Sequence, residues 1–243
     1  MSDPTTTGFD MPKRRRIFLM RHGDVTYFDA SGRAIEPETV PLNANGREQA
    51  SAAGREFATH DVRFDRVIVS GLPRTVETAQ RVLAETGQKV DIEIWPEWQE
   101  IRGGRLAGLP PDEVESAFLR VFEGIVPEET RFLGGETIGE LLDRVLPPVA
   151  KLRNDPSWDT ALLVLHGGVN RALLSHAITA GGRAFFGHLA QATGCINALD
   201  VGDEPRDWVI RTINYSPPSP LFKDVRNTTM ELLYAQYLRY KRD

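Results

Sequence analysis

The chain has 243 residues, 41% of them hydrophobic and 26% charged, and its 29 Lys plus Arg against 34 Asp plus Glu leave a net charge of -5. That balance excludes a disordered or fibrous chain, and the mild acidity excludes a nucleic-acid binder that works by neutralising many phosphates. A single cysteine, Cys195, permits neither an internal disulfide nor a cysteine metal knuckle and suits a reducing, cytoplasmic setting.

Residues 1–13, rich in Ser, Thr, Asp and Pro, read as a flexible leader, and residues 14–243 as a single domain. A chain of this size removes about 70% of its accessible surface on folding, enough for one core without staples. The basic run Lys13 to Arg16 precedes only four strongly apolar residues, Ile17 to Met20, which is too short for a signal peptide or a membrane span. The expectation is a chain with no membrane and no nucleic-acid partner.

Ile17 to Met20 is a continuous apolar run, as in a strand covered on both faces. Gly46 to Thr59 reads as a helix and Arg66 to Val69 as a second buried strand. Pro73 stands at a first helical position, followed by Val76, Ala79 and Leu83 at helical spacing. Val90, Ile92 and Ile94 alternate with polar residues as a strand with one wet face, and Val114 to Phe122 looks helical. Thr137 and Glu140 form a capping-box pattern ahead of Leu141, Val145, Val149 and Leu152, with Pro147 and Pro148 predicting a kink. Ala161 to Leu165 is a further buried strand, and the residues from Val169 to Ala180 mark the helix after it. Cys195 falls within another predicted strand as inert core. Thr228 and Glu231 open a final helix, 228–241, whose Met230, Leu233, Tyr234, Tyr237 and Leu238 form one apolar stripe. That stripe serves packing on its own domain or a homodimer contact. The alternation of strands and helices predicts an α/β protein, a three-layer α/β/α sandwich with a largely parallel central sheet.

Three of the strands end in residues that are not ordinary turn punctuation: Arg21-His22-Gly23, Ser70-Gly71-Leu72-Pro73-Arg74 and His166-Gly167-Gly168. Ligands of open α/β sheets bind beyond the carboxyl ends of the strands, so the three segments should share one mouth. There Arg21 and Arg74 can hold a tetrahedral oxyanion bidentately, and Gly167 at a helix start offers a backbone N–H. A neutral imidazole beside them can attack phosphorus. The pattern is that of a phosphoryl site.

The same residues resemble the histidine phosphatase superfamily, which includes the cofactor-dependent phosphoglycerate mutases. Leu19-Met20-Arg21-His22-Gly23 is similar to its signature, and the likeness continues through Leu42 to Ala50, Ser70 to Ala79, Glu100 with Gly104 and Gly108, Gly134-Gly135-Glu136-Thr137 with Arg144, and His166-Gly167-Gly168. The resemblance implies a phosphoglycerate mutase-like fold. It implies that His22 becomes phosphohistidine, that Arg21, Arg74, His166 and Gly167 hold the phosphoryl group, and that Glu100 is the acid for the leaving group. It implies no metal and no cofactor, and a small phosphate ester as partner. Val25 and Phe28 depart from the family pattern, which shifts a phosphate or substrate hydrogen bond to Asp24 or Thr26 or removes it. The segments 24–41 and 109–133 are the expected pocket walls.

Two rivals stand beside hydrolysis: a phosphoglycerate mutase and a binding module that kept the fold without catalysis. The mutases of the family carry a long insertion before the Gly-Glu block, whereas Gly134 here follows Gly108 by only 26 positions. Little chain is left to shut out water, which favours hydrolysis. Glu97 competes with Glu100 for the acid role but lacks its spacing from Gly104 and Gly108. Among the other candidates, His176 reads as packed, His60 as surface, and His188 and Glu136 as residues that could reach the mouth or only support it.

Overall fold

The computed structural model describes residues 11–29, 35–104, 110–217 and 226–240. In chain order these form β1 (Arg15–Arg21), α1 (Ala44–Thr59), β2 (Arg66–Val69), α2 (Pro73–Thr86), β3 (Ile92–Ile94), a short 3-10 turn (Pro96–Trp98), α3 (Val114–Leu119), α4 (Ile138–Asn154), β4 (Thr160–Leu165), α5 (Gly167–Ile178), β5 (Ile196–Val201), β6 (Trp208–Tyr215) and α6 (Thr229–Tyr240). The sheet order is β3-β2-β4-β1-β5-β6. The first four strands run parallel, and β5 and β6 are added antiparallel on the β1 side.

The apolar runs are continuous because both faces of the sheet are covered. On one face Ile17, Leu19, Ile68, Ala161, Leu163 and Leu165 pack with α4, α5 and Trp98. On the other, Met20, Val67, Val69, Leu162 and Val164 pack with α1 and α2 through Ala53, Phe57, Ala79 and Val82. The period of two along each strand sends successive side chains to opposite layers, which makes the three-layer sandwich.

Local signals set the helix ends. Asn43 caps α1 by accepting the Gly46 amide at 2.8 Å, Pro73 opens α2, and Gly87 closes it with φ of 66°. Thr137 and Glu140 form the expected capping box on α4. One continuous helix runs through Pro147 and Pro148, with Pro148 and Val149 turned into the core.

Several boundaries differ from the sequence reading. α3 stops at Leu119, and Phe122 instead stacks on Phe132 with ring centroids 5.6 Å apart. β3 begins at Ile92 rather than Val90, α5 starts directly at Gly167, and Cys195 precedes β5 by one residue, fully buried. β6 was not anticipated from the sequence. The leader's residues 1–10, the wall residues 30–34 and 109, Gly108, and the end of the segment 228–241 lie outside the described residues.

α6 lays most of its stripe on α3 within the same chain, while Leu238 stays exposed. Tyr234 and Tyr237 meet Phe118 with centroids at 5.4 and 5.6 Å, beside Met230, Leu233, Val114 and Leu133. No helix among the described residues is long and apolar enough to cross a membrane.

Candidate active site

The ends of β1, β2 and β4 bring the predicted mouth together. β1 and β4 are neighbours in register Met20↔Val164 and Arg21↔Leu165, so the residues that follow them, His22 and His166, lie side by side with ring centroids 5.2 Å apart. The chain after β2 supplies Ser70 and then Arg74 from the first turn of α2. Arg21, His22, Arg74 and His166 are all buried.

His22 uses both ring nitrogens in hydrogen bonds with the protein, and His166 uses one. His22 Nδ1 lies 2.7 Å from the Gly23 carbonyl, which can only accept, so the proton sits on Nδ1 and the lone pair on Nε2. Arg74 Nε is 3.3 Å from that Nε2. His166 Nε2 lies 2.7 Å from Ser70 Oγ, and its Nδ1 is buried without a partner. Burial first, and then the positive charges of Arg74 and Arg21, hold the pKa of His22 well below the ordinary histidine range. His166 is lowered in the same way, by burial and then by Arg74, His22 and Arg21. Both rings are therefore neutral where an unperturbed histidine would begin to protonate.

Backbone carbonyls fix the two arginines through their Nη1 atoms. Arg74 Nη1 donates to the Pro37 carbonyl at 2.6 Å, which brings Pro37, one of the expected wall residues, onto the mouth. Arg21 Nη1 donates to the Gln191 carbonyl at 2.5 Å and to Thr229 Oγ1 at 3.1 Å, while its Nε is buried without a partner. Unsatisfied buried donors are rare in folded proteins, and this one stands where an anion would satisfy it.

Glu100 reaches the start of α5, accepting the Gly168 amide at 3.0 and 3.2 Å and the Ile101 amide at 3.0 Å. A Cβ on Gly168 would lie 2.7 Å from Glu100 Oε1, so a side chain there would displace the carboxylate. A Cβ on Gly167 would sit 3.4 Å from the Arg21 guanidinium carbon. Gly23 and Gly46 let the loop after β1 cross the start of α1, because a Cβ on Gly23 would come within 2.2 Å of the Gly46 carbonyl oxygen.

The remaining candidates have structural partners. Glu136 pairs with Arg144, His188 Nε2 accepts the Gly124 amide at 2.8 Å, and His60 is exposed beside Glu56. His176, half-buried, pairs with the Gly182 carbonyl at 2.9 Å. Burial pushes the Cys195 thiol up to about 11, as befits inert core. Val25 bridges to Leu42, while Asp24 Oδ2 accepts from Asn43 Nδ2 at 2.9 Å and Thr26 Oγ1 from the same amide at 3.3 Å, so both polar groups tie down the α1 entry. Sequence reasoning gave no role to Ser70, Gln191 or Thr229. Ser70 carried a signal in its place at a strand end, whereas Gln191 comes from a segment with no motif and Thr229 sits inside the Thr228–Glu231 capping box, which marks a helix start and nothing more.

A model of the histidine phosphatase superfamily (branch 1) matches residues 17–216. An adenosylcobalamin/alpha-ribazole phosphatase of Escherichia coli is 28% identical over 196 residues, 78% of this chain and 91% of the relative. A 2,3-bisphosphoglycerate-dependent phosphoglycerate mutase of Staphylococcus haemolyticus is 27% identical over 197 residues, 68% of this chain and 84% of the relative. Among solved structures, the alpha-ribazole phosphatase of Shigella flexneri superposes with a TM-score of 0.61 at 25% identity, covering 82% of this chain and 96% of the other. The fold is thus phosphoglycerate mutase-like. With the family model spanning the sheet and all three strand-end segments, the chain belongs to the histidine phosphatase superfamily.

Proposed function

We propose that the protein is a phosphoric monoester hydrolase that works through a phosphohistidine on His22. The observation that carries this reading is the His22 ring, held by the Gly23 carbonyl so that Nε2 keeps its lone pair, which accepts from Arg74 Nε at 3.3 Å. A neutral, oriented imidazole beside fixed cations has the lone pair and the charge environment for attack on phosphorus.

In the first displacement His22 Nε2 bonds to phosphorus as the ester P–O bond breaks, and Glu100 gives its proton to the departing oxygen. In the second, water attacks the phosphohistidine, the P–N bond breaks and Glu100 takes the water's proton, which restores the free enzyme and releases inorganic phosphate. Arg21, Arg74, His166 and the Gly167 amide hold the phosphoryl oxygens throughout. Metal independence belongs to the same reading, because the guanidinium groups supply the charge that a divalent ion supplies elsewhere. So does a small phosphorylated metabolite as substrate, in a reducing, cytoplasmic setting consistent with the buried lone Cys195.

Rapid quench with labelled substrate should trap an adduct that is acid-labile and alkali-stable, and the His22→Ala protein should trap none. An adduct on that variant, or a strict requirement for added divalent ion after EDTA treatment, overturns the assignment. Accumulation of a transferred phosphoryl group on a second substrate hydroxyl, rather than of inorganic phosphate, would mark a mutase.

A further inference from the structure

A guanidinium carries five N–H donors, two on each Nη and one on Nε. In Arg21 both Nη1 hydrogens are engaged by the protein, one by the Gln191 carbonyl at 2.5 Å and the other by Thr229 Oγ1 at 3.1 Å. Among the described residues these are the side-chain hydrogen bonds that Arg21 makes, and Nε is buried without a partner. The edge formed by Nε and Nη2 is the one that grips a tetrahedral oxyanion side-on. The protein therefore holds the opposite side of the group and leaves the gripping edge unfilled.

The two braces are of different kinds. Gln191 is buried and locked by Asn197 Nδ2 at 2.9 Å and Asn170 Nδ2 at 3.1 Å, both on its Oε1. Thr229 arrives from 208 positions further along the chain, on the first turn of α6. It is kept there by the Thr228–Glu231 capping box, with bonds of 2.6 and 3.2 Å, and by the aromatic contact of α6 with Phe118.

We propose that Thr229 is a positioning residue for Arg21, so that the C-terminal helix forms part of the phosphoryl site as well as packing on α3. The proposal rests on the phosphatase reading, in which Arg21 binds the transferred group. Without the hydroxyl, Arg21 Nη1 keeps one brace and the guanidinium can rotate about its last torsions, so the Nε–Nη2 edge no longer faces the phosphoryl oxygens in one orientation.

The test compares Thr229→Val, which keeps the branched shape and leaves the Thr228 cap in place, with Thr229→Ser, which keeps the hydroxyl. Titration calorimetry with orthovanadate and with inorganic phosphate, kinetics and melting temperature are read on each full-length protein. Thr229→Val should bind orthovanadate about 10-fold more weakly, the scale of one hydrogen bond to a charged group. Its KM should rise more than its kcat falls, with the melting temperature unchanged, and Thr229→Ser should match the parent. Parent-like anion binding by Thr229→Val, or equal weakening in Thr229→Ser, overturns the assignment while the phosphatase reading stands. A parent protein that binds neither anion takes both down together.

Discussion

Glu136 grips Arg144 with both carboxylate oxygens, at 2.9 Å to Nε and 2.8 Å to Nη2. The other donors of that guanidinium reach the carbonyls of Glu97 at 2.7 Å, Gln99 at 2.8 Å and Glu100 at 3.4 Å, while Glu136 also accepts the Arg102 amide at 3.0 Å. One ion pair thus fastens the backbone on both sides of Glu100. Arg144→Met should lower the melting temperature, because it strands a carboxylate that is 8% exposed. It should also reduce turnover of alkyl phosphates by about 10-fold, a part of the general-acid contribution. Calorimetry and steady-state kinetics check the two effects, and Arg144→Lys, which cannot reproduce the fork, should restore little of either.

The acid assignment separates by leaving group. An alkoxide must be protonated as it departs, whereas a nitrophenolate leaves largely unaided. Glu100→Gln should depress alkyl phosphate turnover by roughly 100-fold or more and p-nitrophenyl phosphate turnover far less. Glu97, exposed and joined to Arg144 only through its carbonyl, should tolerate Gln on both substrates.

Gly168→Ala offers a test that leaves the carboxylate in the chain. The added methyl meets Glu100 Oε1 at 2.7 Å, a side-chain end that can move, and Ile101 Cγ2 at 3.0 Å, a branch of a buried core side chain that must give by a few tenths of an ångström. The expected outcome is a small change in melting temperature with a loss of kcat that follows Glu100→Gln in its leaving-group dependence. A kcat equal to the parent's would mean that the acid does not depend on this contact.

Stability should fall on mild acidification. His22 and His166 bind protons less readily in the folded chain than at the ordinary value of 6.5, so the unfolded chain takes up more protons and unfolding is favoured as pH drops through that value. The melting temperature should decline from about pH 7.5 to about pH 5.5, above the range in which carboxylates of ordinary pKa near 4 begin to titrate. Replacing both histidines with Ala should flatten most of that slope, with His176, also lowered by burial, retaining a remainder.

Ending the chain at Asn227 removes a helix whose Met230, Leu233, Tyr234 and Tyr237 already pack with Phe118 and Leu133 of the same chain. Light scattering should therefore report an unchanged mass while the melting temperature falls. A halved mass would mean that the helix also joins two copies.

Much of the site was legible because its residues stand at the ends of strands buried on both faces, where an unbroken apolar run announces the strand and the next polar residues must face the crevice. His22, Arg74 and His166 were placed at the mouth this way, and Glu100 was singled out through the family resemblance that its spacing from Gly104 and Gly108 carries. β6 was missed because only one of its edges is paired, and its Trp208, Arg211 and Asn214 mix exposed and half-buried positions without a clean period. Glu136 and Arg144 were both noticed, but their pairing depends on how the loop before α4 folds back on residues 99–102. The bond from Arg21 to Thr229 left no local trace, since it joins segments that meet only in the folded chain.

That long-range bond, together with the 96 positions between Ser70 and His166, also bears on synthesis. β1 emerges early, yet its partner β4, the imidazole beside His22 and the brace on Arg21 come from later in the chain. A nascent polypeptide carries His22 without its surroundings, and contacts of such sequence separation close late in folding. Under the proposed reading the phosphoryl site is therefore complete only once α6 has docked and the whole mouth has formed together.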